Sequence, residues 1–252
     1  MTSNMSPQND KSIGKVYGVG LGPGAIDLLS VRADKLIREA KHIAFFRKAG
    51  RSGQARTIIE GLLREDVVEF PMEYPVTTEI PLTDPRYNEI LSQFYEDCVA
   101  HIRTLLMSGE DVIILCEGDP FFYGSFMHLY TRVKDEVEVE VVPAITGMSG
   151  AWTATGLPIT WGDDILTVLM ATLSETIICE RLSQTDAAII MKIGQNLPKI
   201  CSALKQAGRF DDAYIVEYAS MPAQKICLLK DYPSQKAPYF SIIVLHGHGR
   251  RP

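Results

Sequence analysis

The sequence predicts an α/β protein of two domains, the N-terminal one on a largely parallel sheet and the C-terminal one on a mixed sheet. Three observations predict it. Short, continuously apolar runs such as Val-Ile-Ile-Leu-Cys at 112–116 stop in glycine-rich loops, as strands buried on both faces of a parallel sheet do. Segments of helical spacing separate the first of these runs, and strand–loop–helix–strand order implies parallel pairing. Beyond Pro143 the pattern turns strand-dense, its last strands joined by loops alone, which implies a mixed sheet. The chain therefore reads as a disordered tail at 1–12, an N-terminal α/β domain at 13–142 and a C-terminal α/β domain at 143–252.

Residues 14–24 read as a strand running into Gly-Val-Gly-Leu-Gly-Pro-Gly, followed by a helix over 31–42 with Ser30 as its N-cap. A strand at 43–46 leads into a basic loop over 47–56, which carries Arg47, Lys48, Arg51 and Arg56. Residues 67–85, rich in proline, threonine and acidic side chains without clear periodicity, read as a long surface loop of the kind that forms lids or walls. A helix over 86–107 places Ile90, Phe94, Val99, Ile102 and Leu106 on one side, and Gly109 ends it. After the strand at 111–116 comes the turn Gly-Asp-Pro-Phe-Phe-Tyr-Gly, beyond which helical spacing resumes at Phe122, Phe126 and Leu129.

The alternation at 136–142 has period two and predicts a half-exposed strand near a sheet edge. Residues 144–155 form a helix-length segment of Ala, Gly, Ser and Thr, poor enough in large side chains for something to pack closely against its backbone. Strands follow at 165–170, 187–193, 214–218, 225–229 and 240–245, with helices at 175–182 and 197–206, the latter capped by Asn196 and ended by Gly208.

A chain of 252 residues is long enough to bury a sizeable core. Its net charge of −6 argues against a general nucleic-acid binder, which needs a basic face. The five cysteines, Cys98, Cys116, Cys179, Cys201 and Cys227, are scattered and read as reduced thiols. Residues 1–11 lack the apolar centre of a signal peptide, and no apolar run approaches membrane-spanning length, so a cytoplasmic protein is expected. His128, His246 and His248 have no partner at metal-ligand spacing, and no metal site is expected. Neither a Gly-x-Ser-x-Gly elbow nor a Gly-Lys-Ser/Thr phosphate loop occurs.

Ligands of open α/β sheets sit outside the carboxyl ends of the strands, where Gly118 and Asp119 stand. Asp119 there would repel a pyrophosphate and welcome an ammonium or sulfonium group. The plain structural alternative is a helix capped by Asp119 with Pro120 in its first turn. The run Gly-Val-Gly-Leu-Gly at 18–22 suggests a dinucleotide loop, but the third glycine of that pattern would fall at Pro23. The basic pair Arg47 and Lys48 would suit NADP, so an NADP-dependent oxidoreductase stays open at this point, as does a non-catalytic binding module. Three open strand ends, at 21–23, 118–122 and 144–147, suggest one cleft.

With these residues in place the chain resembles the tetrapyrrole (corrin and porphyrin) methylase family over nearly its whole length. Gly-Val-Gly-Leu-Gly-Pro-Gly at 18–24 resembles the family's first loop, Gly-Asp-Pro-Phe-Phe-Tyr-Gly at 118–124 its second, and Val-Pro-Ala-Ile-Thr-Gly at 142–147 its third. Within the family, residues 116–127 and the ending Tyr-Phe-Ser-Ile-Ile-Val at 239–244 look most like the members that act on C20 of precorrin-2.

The resemblance implies two α/β domains with a cleft for S-adenosylmethionine between them. It implies that Leu21, Gly22 and Pro23 line that cleft, and that Gly118, Asp119 and Phe122 contact the cofactor. Thr146 and Gly147 would lie beside its methionine part, with Ile193 and Ala219 near the adenosine. The implied reaction moves a methyl group to C20 of precorrin-2, giving precorrin-3A and S-adenosylhomocysteine in cobalamin biosynthesis, with Asp119 and Tyr123 as candidate proton acceptors. A different corrinoid carbon, a cobalt-containing substrate or uroporphyrinogen III are the family alternatives. Arg47, Lys48, Arg51 and Arg56 would then meet the substrate's carboxylates, Tyr74, Thr77 and Thr78 would wall the macrocycle, and a homodimer is expected.

Overall fold

The computed structural model describes residues 12–77, 80 and 84–250. The expected tail, apart from Ser12, and Thr78 lie outside the described residues. The chain divides into two compact units, Met1–Gly22 with Leu29–Ala144, and Pro23–Leu28 with Ile145–Pro252.

The first unit runs β1 (Val16–Gly20), α1 (Val31–Glu39), β2 (His42–Lys48), α2 (Gln54–Ile58), β3 (Val68–Tyr74), α3 (Pro85–Met107), β4 (Val112–Cys116), α4 (Phe126–Val133) and β5 (Val139–Val142). Its sheet has the order β3-β2-β4-β1-β5, and every pairing is parallel. All five residues of the central β4 are buried. Val112, Ile114 and Cys116 pack with Val99 and Ile102 of α3 and with Phe126 and Leu129 of α4. Ile113 and Leu115 pack on the other face with Ile37 of α1 and Ile58 of α2. An unbroken apolar run is what two covered faces require, and each such side chain contributes about 1.5–3 kcal/mol on burial. On β1, a Cβ added at Gly18 would overlap the Phe126 ring, so the glycine makes room for that aromatic against the sheet.

Helix ends follow their capping chemistry. Ser30 Oγ accepts from Ala33 N at 3.1 Å, and Asp84 accepts from Arg86 N with Pro85 in the first turn of α3. The helix expected over 31–42 stops at Glu39, because His42 already pairs with Val68 as the first residue of β2. Helical structure expected from Phe122 begins only at Phe126; the preceding residues form a turn.

The largest departure is at 67–85, expected as loop throughout. Residues 68–74 form β3, paired with β2 over seven positions. Phe70 and Met72 alternate with Glu69, Pro71 and Glu73, and a proline between two glutamates hides that period. Pro71 is tolerated because β3 is an edge strand, with a neighbour on one side only. At the opposite edge β5 pairs with β1 alone, the position expected from its alternation.

The second unit contains α5 (Gly147–Ala154), β6 (Leu166–Met170), α6 (Glu175–Ser183), β7 (Ala187–Met191), α7 (Leu197–Gln206), β8 (Tyr214–Glu217), β9 (Lys225–Leu228) and β10 (Ser241–Leu245). The sheet order is β6-β7-β10-β8-β9; β6 and β7 are parallel and the remaining pairs antiparallel, a mixed sheet as expected. Ile178, Leu182, Ile200 and Leu204 of α6 and α7 cover one face. Ala151 of α5 packs on Ile189, Val216 and Val244 of the other. Among the described residues no helix is long and apolar enough to cross a membrane.

Candidate functional site

Strand order marks a candidate position in the first unit. The strand after β1 is β2, which lies beyond β4; the strand after β4 is β5, which lies beyond β1. The two connections leave in opposite directions, which makes the carboxyl ends of β1 and β4 the switch point of the sheet, the place where open α/β sheets bind ligands. Leu21, Gly22, Glu117 and Gly118 stand there. Leu21 N donates to Cys116 O at 2.9 Å, Gly118 N to Gly22 O at 2.9 Å and Gly22 N to Gly118 O at 3.4 Å. Gly22 (φ 76°) and Gly118 (φ 67°) both turn through the left-handed region, which glycine enters without steric cost.

Asp119 ties the turn after β4 to the end of β5. Its Oδ1 accepts from Phe121 N at 2.9 Å and its Oδ2 from Ala144 N at 3.0 Å. No helix starts here, so Asp119 shapes a turn instead of capping a helix, and both its oxygens are engaged by backbone. Tyr123 follows at φ 53° with its ring 4.9 Å from that of Phe122, and it is 46 % exposed. A non-glycine residue held in this region costs on the order of 1–3 kcal/mol, and such strain concentrates at functional sites. In the second unit Lys192 (φ 58°) after β7 and Tyr218 (φ 49°) and Ser220 (φ 63°) after β8 are held the same way.

Glu117 is the functional candidate that sequence reasoning missed. It follows the last residue of β4 and precedes Gly118, the only signal in the sequence that could have found it. Its Oε1 accepts from Ala55 N of α2 at 3.2 Å. Solvent reaches the residue, yet the carboxyl lies among dense protein atoms; desolvation pushes it up to about 7, against the opposing pull of the Ala55 amide. Burial pushes the adjacent Cys116 thiol, and Cys98 of α3 in the same core, well above the usual thiol range.

In the second unit Thr146 caps α5, its Oγ1 accepting from Ser149 N at 3.3 Å, and Gly147 opens the helix. The small side chains of α5 serve close packing: a Cβ at Gly150 would stand 2.7 Å from Pro23 Cβ and 3.0 Å from Ser220 Oγ. Pro23, Ser149, Gly150, Thr153, Ser220 and Gln224 help line an open recess of about 380 Å³.

Residues 15–231 match the model of the Tetrapyrrole (Corrin/Porphyrin) Methylases. The chain belongs to this family. It is 46 % identical over 240 residues to the precorrin-2 C(20)-methyltransferase of Sinorhizobium sp., covering 95 % of this chain and 98 % of that one. The cobalt-precorrin-2 C(20)-methyltransferase of Salmonella typhimurium is 25 % identical, over 92 % of this chain and 96 % of that one. Among solved structures, the cobalt precorrin-4 methyltransferase CbiF shares the fold at a TM-score of 0.70 and 20 % identity, covering 96 % and 97 % of the two chains. The uroporphyrin-III C-methyl transferase of Thermus thermophilus, solved with S-adenyl homocysteine, shares it at 0.64 and 20 %, covering 92 % of each.

Within this methylase the expected site residues separate into groups. Gly22, Gly118, Asp119, Phe122 and Tyr123 lie together at the strand-end loops of the first unit; Pro23, Thr146, Gly147 and Ala219 belong to the second. Leu21 and Ile193 are fully buried, their side chains in the cores of the first and second units.

The basic group is largely spoken for by a strand expected as loop. Arg47 Nη2 donates to Glu73 Oε1 at 2.6 Å, and Arg56 Nε lies 2.9 Å from both oxygens of Glu69. Lys48 Nζ donates to Thr77 Oγ1 at 3.1 Å. Arg51 is exposed and has no ion pair among the described residues.

Proposed function

We propose that this methylase transfers a methyl group from S-adenosylmethionine to C20 of precorrin-2, giving precorrin-3A and S-adenosylhomocysteine in cobalamin biosynthesis. The observation that carries the proposal is the 46 % identity, over almost the full length of both chains, to the Sinorhizobium precorrin-2 C(20)-methyltransferase. The proposal places the protein in the cytoplasm as a homodimer.

The residues at the strand ends fit the cofactor. Gly22 and Gly118 turn the backbone there through positive φ, and the carboxylates of Glu117 and Asp119 beside them suit a cationic ligand better than a pyrophosphate. Pro23, Phe122, Thr146, Gly147 and Ala219 would complete its surroundings, with Leu21 and Ile193 packed behind them. When bound, S-adenosylmethionine supplies a methyl group already activated by the positive sulfur. The protein's own task is to hold C20 in line and exclude water, and orientation of this kind is worth roughly 7–11 kcal/mol. Asp119 serves by fixing the turn that carries Phe122 and Tyr123.

Arg51 and Lys48 would meet the acetate and propionate groups of the macrocycle, since charge-assisted bonds to carboxylates are the stronger ones. Arg51→Ala is expected to weaken tetrapyrrole binding about fivefold, on the order of 1 kcal/mol. Arg47→Ala should do less, because Glu73 already holds that guanidinium. Titration followed by absorbance checks both; equal effects would return the whole group to an undifferentiated surface.

The proposal as a whole is tested by incubating the protein with methyl-labelled S-adenosylmethionine and, separately, precorrin-2, its cobalt-containing form and uroporphyrinogen III. Label at C20 of metal-free precorrin-2, located by NMR, is expected. Label at another carbon, or transfer to another substrate alone, would overturn the reading.

A further inference from the structure

We propose that Glu117 accepts the proton released from C20 when the methyl group is transferred; the inference rests on the C20-methylation reading. As the bond from C20 to the methyl carbon forms, the methyl–sulfur bond breaks and the sulfur leaves as a neutral thioether. The C20–H bond then breaks, its electron pair returning to the conjugated macrocycle and its proton passing to a carboxylate. Atoms and charge balance without any further reactant.

Geometry selects Glu117 for this step. It stands at the switch point between β1 and β4, one residue beyond the most deeply buried strand of the sheet. One oxygen is held in place by Ala55 N, and Oε2 has no hydrogen-bond partner among the described residues. Asp119, two residues on, has both oxygens committed to Phe121 N and Ala144 N, and taking a proton there would loosen the turn it holds. Tyr123 offers only a phenol oxygen.

The electrostatic setting agrees. Cys116 and Asp119 are the titratable neighbours along the turn, while Arg56 of α2 is held by Glu69. Desolvation against the single amide bond sets the carboxyl near neutrality, the range in which a general base is most effective.

The test compares the parent protein with Glu117→Gln and Glu117→Asp. For the parent, the methyl-transfer rate should rise with pH through about 7, as the carboxyl ionises. Glu117→Gln should lose about 10²–10⁴-fold in rate and lose that acidic limb. Its affinity for S-adenosylhomocysteine by calorimetry should stay within twofold. Glu117→Asp should keep the limb at a reduced rate.

A second readout is independent of turnover. A carboxyl whose folded value lies above its unfolded one contributes stability below about 4.5 that is lost as pH rises through about 7. The Gln variant should therefore match the parent's Tm at pH 4 and exceed it at pH 8. Turnover of the Gln variant within threefold of the parent with the limb intact would overturn the inference while leaving C20 methylation standing. A tenfold loss of S-adenosylhomocysteine affinity would overturn it too, by making Glu117 a cofactor contact. Failure of the parent itself to methylate precorrin-2 would instead overturn the functional reading.

Discussion

Gly20→Val is expected to abolish S-adenosylhomocysteine binding and to move the urea unfolding midpoint sharply downward. Gly20 is the last residue of β1, and a Cβ placed on it would stand 2.6 Å from Ala144 Cβ, 2.8 Å from Gly118 O and 2.9 Å from Pro120 Cδ. None of these is the free end of a flexible side chain. Two sit on loops that Asp119 and the Gly22–Gly118 bridge hold together, so the added methyls can be accommodated only by parting the loops after β1, β4 and β5. Overpacking of this kind costs about 1–3 kcal/mol, and the branched valine belongs at the upper end. Equilibrium unfolding in urea and calorimetry with S-adenosylhomocysteine measure the two effects separately. Gly147→Ala is the control for stability, because a Cβ there would meet only Ile242 Cδ1 at 3.7 Å, an ordinary contact. Cofactor-analogue binding by Gly20→Val within twofold of the parent would refute the close convergence of these loops.

Asp119→Asn should destabilise the protein almost as much as Asp119→Ala, despite its near-identical shape. The carboxylate accepts from two different amides, Phe121 N at 2.9 Å and Ala144 N at 3.0 Å. An asparagine carbonyl can replace one acceptor, but its NH₂ must then face the other N–H, donor against donor. A hydrogen bond to a charged group contributes about 1.5–3 kcal/mol, and partial exposure of Asp119 argues for a loss toward the lower end of that range. The turn carrying Phe122 and Tyr123 would loosen, and affinity for S-adenosylhomocysteine should fall about tenfold, corresponding to about 1.4 kcal/mol. The acidic limb of the rate should survive, in contrast to Glu117→Gln, since Asp119 positions the loop without taking the proton. Denaturation midpoints, calorimetry and the pH profile together decide it; an Asn variant as stable as the parent would show that the second oxygen does not matter.

Much of this protein is written in local pattern. The apolar run at 112–116 specifies a strand buried on both faces, the alternation at 136–142 an edge, and Ser30 a helix start, because periodicity and capping act over a few residues. The glycines at 22 and 118 likewise mark sharp turns, both with positive φ. The motifs at the strand ends carried the resemblance to the family to which the chain belongs.

Other features depend on partners far along the chain. Residues 68–74 become a strand because β2 offers them a paired edge, and that edge brings Glu69 and Glu73 to Arg56 and Arg47. Leu21 and Ile193, which the family resemblance implies are near the cofactor, turn their side chains into the two cores, a choice made by packing and invisible in the residue type. Asp119 meets Ala144 across 25 positions, and Glu117 meets Ala55 across 62. The sequence by itself thus determined the fold class and the family, since each follows from short-range pattern. Which carboxylate is bound to backbone and which is left with a free oxygen was decided by tertiary structure alone, because a hydrogen-bond partner is assigned by proximity in space.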